Sequence, residues 1–195
     1  MDKLIEIKRK EFEIIKQLGE HSYLGTRKNK FFFIKDFGNR EDAFWTYVES
    51  ESKLNTTGIP HPKIYVYDKH LHLVATEFVS GDRITDLLVK EDLSESIIEL
   101  IFKANWFSKR NKIALNYEPN NWIFDGNKLF YVGVIDQKYD PKLDFEKRGI
   151  RLWFYTRDFV SYLTKNGIRG DLARIGDSEA QVNKKIALSV VKFYL

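Results

Sequence analysis

Residues 116–136 read NYEPNNWIFDGNKLFYVGVID and hold the most informative pattern in the chain. An Asp-Gly turn at 125–126 separates two apolar runs, which predicts a β-hairpin with its second strand over 129–135. Asn121 directly precedes this hairpin, and Asp136 directly follows it. Amide and carboxylate oxygens are hard ligands of the kind that Mg²⁺ prefers, so the two side chains could converge on a cation. Asn121 could instead bond local backbone, and Asp136 could simply begin a turn.

A second pair of polar residues lies upstream in apolar surroundings. Residues 31–37, FFFIKDF, predict a strand that carries Lys35 near its end. Residues 41–55 change to a helical period, and Glu51 falls on the apolar face of that helix. A buried lysine and a buried carboxylate are each costly alone and tolerable as a pair. Lys35 could instead extend to water, and Glu49 is the alternative carboxylate.

The remaining patterns place strands first and helices later. We expect further strands near 63–67 and 70–79, with His70 and His72 on one strand face, and then helices over 82–89, 94–109, 150–165 and 178–194. The predicted fold class is α+β, with a β-rich N-terminal lobe over 1–79 and a mostly helical C-terminal lobe over 80–195. Together the two lobes would form one domain.

Composition excludes several classes of protein. The 195 residues are 43% hydrophobic and contain no Cys, which excludes a disordered chain, a disulfide scaffold and a cysteine nucleophile. Four scattered His make a histidine metal site improbable. No apolar run approaches the roughly 20 residues that cross a bilayer, and the N-terminal residues are too charged for a signal peptide. We therefore expect a cytoplasmic protein without a membrane partner.

The charge balance favours anionic partners weakly. The net charge is +4, and short basic clusters occur at residues 8–10, 27–30 and 109–112. Each cluster adjoins apolar residues, so solvated faces explain them better than a binding patch does. A basic α+β domain that binds nucleic acid stays open as an alternative.

Taken in order, these residues resemble the protein-kinase-like superfamily. Lys35 resembles its strand lysine, and Glu51 its helix glutamate. The segment 77–81, EFVSG, resembles the hinge that contacts adenine. Residues 116–121 resemble the catalytic loop, and Asp136 the aspartate that binds metal. The short C-terminal part and the segment 58–62, GIPHP, are similar to small atypical members, which include the RIO kinases, the kinase of the tRNA-modification complex and the lipopolysaccharide kinases.

The resemblance implies a two-lobed fold that binds ATP and Mg²⁺ and transfers phosphate to a hydroxyl of a protein or small molecule. The nucleotide contacts would fall on Gly19, Lys35, Glu77 and Val79, with Glu51 orienting Lys35. Asn121 and Asp136 would hold Mg²⁺.

Two departures from the family pattern bear on activity. The glycine-rich loop keeps Gly19 but has His21 and Leu24 at the other glycine positions, with Gly25 one residue further on. The usual catalytic aspartate is Asn116, and an amide cannot accept a substrate proton as a carboxylate does. Glu118 could take that role if the loop is rearranged. The alternative is an inactive pseudokinase that serves as a binding or scaffold module.

Overall fold

A computed structural model describes residues 3–90, 93–153, 164, 165 and 167. The chain divides into two compact units. Unit 1 comprises Met1–Thr56 and His61–Ser80, and unit 2 comprises Thr57–Pro60 and Gly81–Leu195. Within the described ranges, no helix has the length and apolar character that crossing a bilayer requires.

Unit 1 is built on one antiparallel sheet with the strand order β1-β2-β3-β4-β6-β5. Its strands are β1 (Leu4–Ile7), β2 (Lys10–Gly19), β3 (Ser22–Arg27), β4 (Lys30–Asp36), β5 (Ile64–Asp68) and β6 (Leu73–Glu77). β1 also contacts β5 and β6 at the other side of the sheet, so the sheet curls. One helix, α1 (Glu41–Leu54), completes the unit.

The two faces of this sheet form separate cores. The inner face of the curl buries a cluster that consists of Ile7, Phe12, Phe32, Ile34, Val66 and Ala75. On the other face, Phe44 of α1 packs with Phe37 and Val74. The aromatic run at 31–33 therefore divides between faces, with Phe32 buried and Phe31 exposed, because strand side chains alternate.

Unit 2 combines a small sheet with helices. The sheet has the order β7-β8-β9, and its strands are β7 (Asp82–Arg83), β8 (Trp122–Phe124) and β9 (Leu129–Tyr131). Its helices are α2 (Ile84–Val89), α3 (Glu95–Asn111) and α4 (Ile150–Trp153), with short 3-10 turns at Pro119–Asn121 and Pro141–Leu143 and a π-turn at Phe145–Gly149. An aromatic cluster fills the core around Trp122, Phe145 and Trp153.

The predicted β-hairpin is present. Asp125 Oδ1 accepts hydrogen bonds from the backbone N–H groups of Asn127 and Lys128, at 2.9 and 2.6 Å. Gly126 has a φ of +96°, which a residue with a side chain rarely adopts. The second strand is shorter than predicted, because β9 ends at Tyr131 rather than at residue 135.

Two further expectations differ from the structure. His70 and His72 lie in the turn between β5 and β6 and not on a strand face, and His72 has a φ of +51°. Asp68 Oδ1 holds this turn by accepting from the backbone N–H of His70 and of Leu71. Of the helices expected over 150–165 and 178–194, α4 is described, whereas most of the first and all of the second lie outside the described residues.

Candidate functional site

Lys35 is the penultimate residue of β4 and is half-buried. Its Nζ lies 5.0 Å from the centroid of the Phe37 ring and 5.2 Å from that of Tyr47. Burial lowers the pKa of Lys35, and the positive charge of Arg40 lowers it further. The ammonium is thus held against two aromatic faces in a poorly solvated position.

Glu51 lies on α1, half-buried and one turn after Tyr47, whereas Glu49 is exposed. No ion pair joins Lys35 to Glu51 in the described part of the chain. Tyr47 lies beside both residues instead. Its pKa is raised by burial and by the charge of Glu51, and its hydroxyl forms a hydrogen bond with Thr76.

Replacing Lys35 by methionine is expected to leave stability at pH 7 unchanged or to raise it by up to about 1 kcal/mol, because a poorly solvated cation is removed. The lowered pKa means that the unfolded chain binds more protons than the folded one as pH approaches 10.5. Relative to Lys35→Met, the wild type should therefore gain stability as the pH rises through the window just below 10.5. Urea denaturation from pH 7 to 10.5 measures the stability of the wild type and of Lys35→Met. The exposed Lys53→Met is the control. A difference in stability between the wild type and Lys35→Met that does not change with pH would contradict the assignment.

Gly19 and Gly25, the two glycines in the region that resembles a glycine-rich loop, differ in what surrounds them. Gly19 ends β2 and is exposed, and a Cβ there would meet only Ser22 Cβ, at 3.9 Å. Gly25 is buried in β3, where a Cβ would lie 2.7 Å from Ile34 Cδ1 and 3.3 Å from Glu13 O. The packing of the sheet therefore accounts for the glycine at 25.

Glu77 and Val79 lie at the end of unit 1. Glu77 is the last residue of β6, and its backbone N–H donates to Lys63 O at 2.9 Å. Its carboxylate accepts from Lys63 N at 3.3 Å. Val79 follows, half-buried. The described contacts give Glu77 a role in tying the ends of β5 and β6 together.

Three of the remaining predicted residues meet in one pocket of unit 2. The pocket has a volume of about 210 Å³, and Asn116, Glu118 and Asp136 all line it. Asn116 and Glu118 are half-buried, and Asp136 is exposed. The pocket thus carries two carboxylates and an amide around a space that is smaller than a typical ligand pocket.

Local hydrogen bonds fix the loop that carries Asn116. Asn116 Oδ1 accepts from the backbone N–H of Glu118 at 3.0 Å. Asn121 lies in the 3-10 turn that follows, and its Nδ2 donates to Asn116 O at 3.4 Å. Its backbone O accepts from Val132 N at 2.8 Å, which ties the loop to the chain after β9. The bond at Nδ2 leaves the amide oxygen of Asn121 as the group that could meet a cation.

Tyr131 connects the loop to the segment that carries Asp136. Its hydroxyl accepts from Asn116 N at 3.2 Å and donates to Val134 O at 3.1 Å. Burial raises the pKa of Tyr131, and the charges of Asp136 and Glu118 raise it further. The phenol therefore stays protonated, and both carboxylates act on the same hydroxyl.

Asp136 was predicted to follow directly after a strand over 129–135, and the structure differs on this point. Asp136 follows an irregular segment and not a strand. At Gly133 a Cβ would lie 2.7 Å from the hydroxyl oxygen of Tyr131. The chain passes close to this ring just after β9 ends, and Asp136, three residues further on, lines the pocket.

A buried network supports the floor of this pocket. Asn105 on α3 is 1% exposed, and its Oδ1 accepts from Tyr117 Oη at 2.9 Å and from Phe145 N at 3.1 Å. Its Nδ2 donates to Glu146 Oε1 at 3.2 Å. Tyr117 itself lines the pocket, and its backbone O accepts from Trp153 Nε1 at 2.7 Å.

Sequence reasoning missed Arg148, which also lines the pocket. It lies in the π-turn Phe145–Gly149, whose residues match no motif. Its backbone N–H donates to Asp144 O at 2.9 Å. Only the fold of the segment after Asp136 brings this cation to Glu118 and Asp136, so no sequence signal could have identified it.

The side chains that could act as metal ligands limit which metal this site could hold. Among the described residues there is no cluster of three or more His, Cys, Asp or Glu side chains. Mg²⁺ typically uses one or two carboxylates and completes its shell with water and substrate phosphates, and the Asp136 carboxylate in the pocket is a ligand of that kind. Asn121 is not among the residues that line the pocket.

Comparisons with known proteins identify the fold. No family model matches the sequence. No curated protein matches it either. Among solved structures, WbdD, crystallised with the kinase inhibitor LY294002, matches with a TM-score of 0.51 and 11% identity, over 66% of this chain and 34% of that chain. The kinase domain of PknI from Mycobacterium tuberculosis, crystallised as a point mutant, matches with a TM-score of 0.45 and 13% identity, over 65% of this chain and 59% of that domain's chain.

The chain therefore spans about a third of the length of WbdD. At this level of identity the likeness concerns the fold alone. The curled antiparallel sheet with one helix in unit 1, and the small sheet with helices in unit 2, agree with the expected α+β class. The described chain has a protein-kinase-like fold.

Proposed function

We propose that this protein binds a nucleoside triphosphate together with Mg²⁺ and transfers a phosphoryl group to a hydroxyl of a protein or small molecule. The observation that carries the proposal is the pocket that gathers Asn116, Glu118 and Asp136. In a kinase-like fold these positions correspond to the catalytic loop and the metal-binding aspartate. Phosphoryl transfer needs mostly positioning and charge stabilisation, which these groups can supply.

Asp136 and Asn121 would hold the metal ion. Bound Mg²⁺ supplies neutralisation of the charge on the phosphates. Arg148 lines the same pocket and would add a guanidinium, which forms bidentate hydrogen bonds with phosphate oxygens. The pocket thus contains separate groups for the cation and for the anion.

Glu118 is the group that would accept the substrate proton. Asn116, at the usual position, is an amide whose oxygen already accepts from Glu118 N. The Glu118 carboxylate lines the pocket only two residues further on. A carboxylate within reach of the attacking hydroxyl is what a general base requires.

In this proposal Lys35 would bind the phosphates of the nucleotide, and Glu51 would orient Lys35. The other nucleotide contacts would be Gly19, Glu77 and Val79. The family resemblance supports these assignments. The poorly solvated ammonium of Lys35 adds support, because an anionic ligand would relieve the cost of its burial.

Thermal melting with and without Mg²⁺-ATP tests the nucleotide site. At 100 times the Kd, ligand binding should stabilise the wild type by about 2.7 kcal/mol, which is a clear shift in melting temperature. Asp136→Asn should abolish the shift that depends on Mg²⁺, whereas Asp86→Asn, which changes an exposed carboxylate on α2 outside the pocket, should retain it. The proposal fails if millimolar Mg²⁺-ATP leaves the wild type unshifted or if Asp136→Asn responds like the wild type.

A second candidate is a pseudokinase that binds nucleotide without transferring phosphate. Asn116 favours it, because this amide serves the structure of the loop and cannot act as a base. The two candidates predict the same melting shift. Release or transfer of the γ-phosphate separates them, since the pseudokinase should show none.

A further inference from the structure

Two basic hairpin ends lie at the same end of the unit 1 sheet. The β1–β2 turn contains Lys8 and Arg9, and the β3–β4 turn contains Lys28 and Asn29. β2 and β3 are antiparallel neighbours in which Glu13 pairs with Thr26. The start of β2 therefore lies beside the end of β3, and both turns project from the same end of the sheet. We call Lys8, Arg9, Lys10, Arg27, Lys28 and Lys30 the hairpin patch.

The backbone of both turns is unfavourable for these residues. Lys8 and Arg9 have φ values of 47° and 61°, and Lys28 and Asn29 have φ values of 50° and 59°. Two-residue hairpin turns of this kind strongly favour Asn-Gly or Gly-Gly, because side chains are disfavoured at positive φ. Three of the four positions carry a basic residue instead. Local strain retained at such positions points to a function for the side chains.

Most of the basic side chains of the patch lie on a different face of the sheet from the nearby carboxylates. Lys8 is the exception, because its Nζ lies 4.9 Å from the centroid of the Tyr67 ring and its charge acts on the Asp68 carboxylate. Arg27 pairs directly with Lys30 across the β3–β4 hairpin, and like charges opposite one another are destabilising. Their face is the inner one, because Gly25, two residues before Arg27, adjoins Ile14 and Ile34 side chains.

Strand alternation places the nearby acidic residues on the opposite face. Glu6 pairs with Glu11, and Glu13 follows Glu11 on the same face of β2, opposite to that of Phe12. These carboxylates therefore lie across the sheet from Lys10 and do not compensate the inner-face cations.

A tyrosine joins the two hairpins. Lys10 Nζ lies 4.2 Å from the centroid of the Tyr65 ring, and Arg27 Nη1 donates to Tyr65 Oη at 3.0 Å. Tyr65 is 41% exposed, and its ring lies 4.8 Å from that of the buried Phe32. With Lys10 and Phe32 both close to its ring, Tyr65 positions the cations and is poorly placed to stack on a base.

From this arrangement we infer that the hairpin patch binds the phosphate backbone of a nucleic acid, without reading its bases. Apart from Lys8, the five cations of these two adjacent hairpins supply the phosphate contacts that give binding independent of sequence. The patch lies within unit 1 and does not involve the unit 2 pocket, so this inference does not depend on the proposed phosphoryl transfer.

The double variant Arg9→Gly/Lys28→Gly removes one cation from each turn and places glycine where φ is positive. Its melting temperature should equal or exceed that of the wild type, so a loss of binding is not a loss of fold. Affinity for a fluorescein-labelled single-stranded oligonucleotide of mixed sequence should fall about tenfold at ~100 mM salt, and the negative slope of log K against log salt should become shallower by about 1.4.

The matched control is Lys103→Gln/Lys128→Gln, which removes the same charge from exposed positions of unit 2 and should bind like the wild type. Equal loss in this control would show that only net charge matters and would overturn the inference. Unchanged binding by Arg9→Gly/Lys28→Gly would also overturn it. So would binding to phosphatidylserine vesicles in the absence of binding to the oligonucleotide.

Discussion

Replacing Asn105 by alanine should lower the free energy of unfolding by about 3 kcal/mol or more. The change leaves the Tyr117 hydroxyl and the Phe145 N–H without the oxygen that accepts from both. Each unsatisfied buried polar group costs about 1–3 kcal/mol, and the alanine also leaves a small cavity. Urea denaturation measures the loss.

Asn111→Ala is the matched control on the same helix. Asn111 is exposed, and its Nδ2 donates to Phe107 O within its own helix, so the loss should stay at about 0.5 kcal/mol. Asn105→Asp keeps both acceptor bonds but places a carboxylate where the amide donates to Glu146 Oε1. Repulsion between the two carboxylates should make Asn105→Asp less stable than the wild type at neutral pH. Equal stability of Asn105→Ala and wild type would refute the role of this network.

The sequence predicts best where the structure depends on neighbours along the chain. The hairpin at 122–131 follows from the Asp-Gly turn, whose hydrogen bonds span three residues. The helix over 41–55 follows from its apolar period, and α1 runs from Glu41 to Leu54. Both predictions needed only local geometry.

Prediction fails where contacts between elements decide the geometry. The strand pattern at 129–135 continues past Tyr131, yet β9 ends there, just before Gly133 passes close to the Tyr131 ring. The position of Tyr47 beside Lys35 depends on how α1 packs against the sheet, which no local pattern encodes. The convergence of two basic turns likewise follows from strand register, so each cluster alone gave no sign of a shared patch.

In the candidate site too, residues set by local sequence could be predicted and residues placed by long-range contacts could not. The order of Asn116, Asn121 and Asp136 along the chain was sufficient to select them as candidates, and the structure places Asn116 and Asp136 in one pocket with Glu118. Arg148 could not be selected, because its route to that pocket runs through the π-turn after Asp144. Motif order thus selects the loop residues as candidates, whereas only the fold shows that Arg148 lines the same pocket.

Under the proposed function, Glu118→Gln should slow transfer of the γ-phosphate by about 10²- to 10⁴-fold, which is the usual contribution of a general base. Glutamine retains the size and polarity of glutamate, so the melting shift of this variant with Mg²⁺-ATP should remain. Single-turnover transfer from radiolabelled ATP to water or to the protein itself measures the rate without a known substrate. A rate equal to that of the wild type would exclude Glu118 as the base.

Asn116→Asp is the converse variant. A carboxylate at this position can still accept from Glu118 N, so the loop should keep its shape while it gains a base at the family's usual place. We expect at least a tenfold increase in rate, and in that background Glu118→Gln should cost less than tenfold, because the two carboxylates supply the same step. An increase from an undetectable wild-type rate would identify the natural protein as the pseudokinase. A fall in rate, with the nucleotide shift intact, would mean that the Asn116 amide is itself required for the transfer.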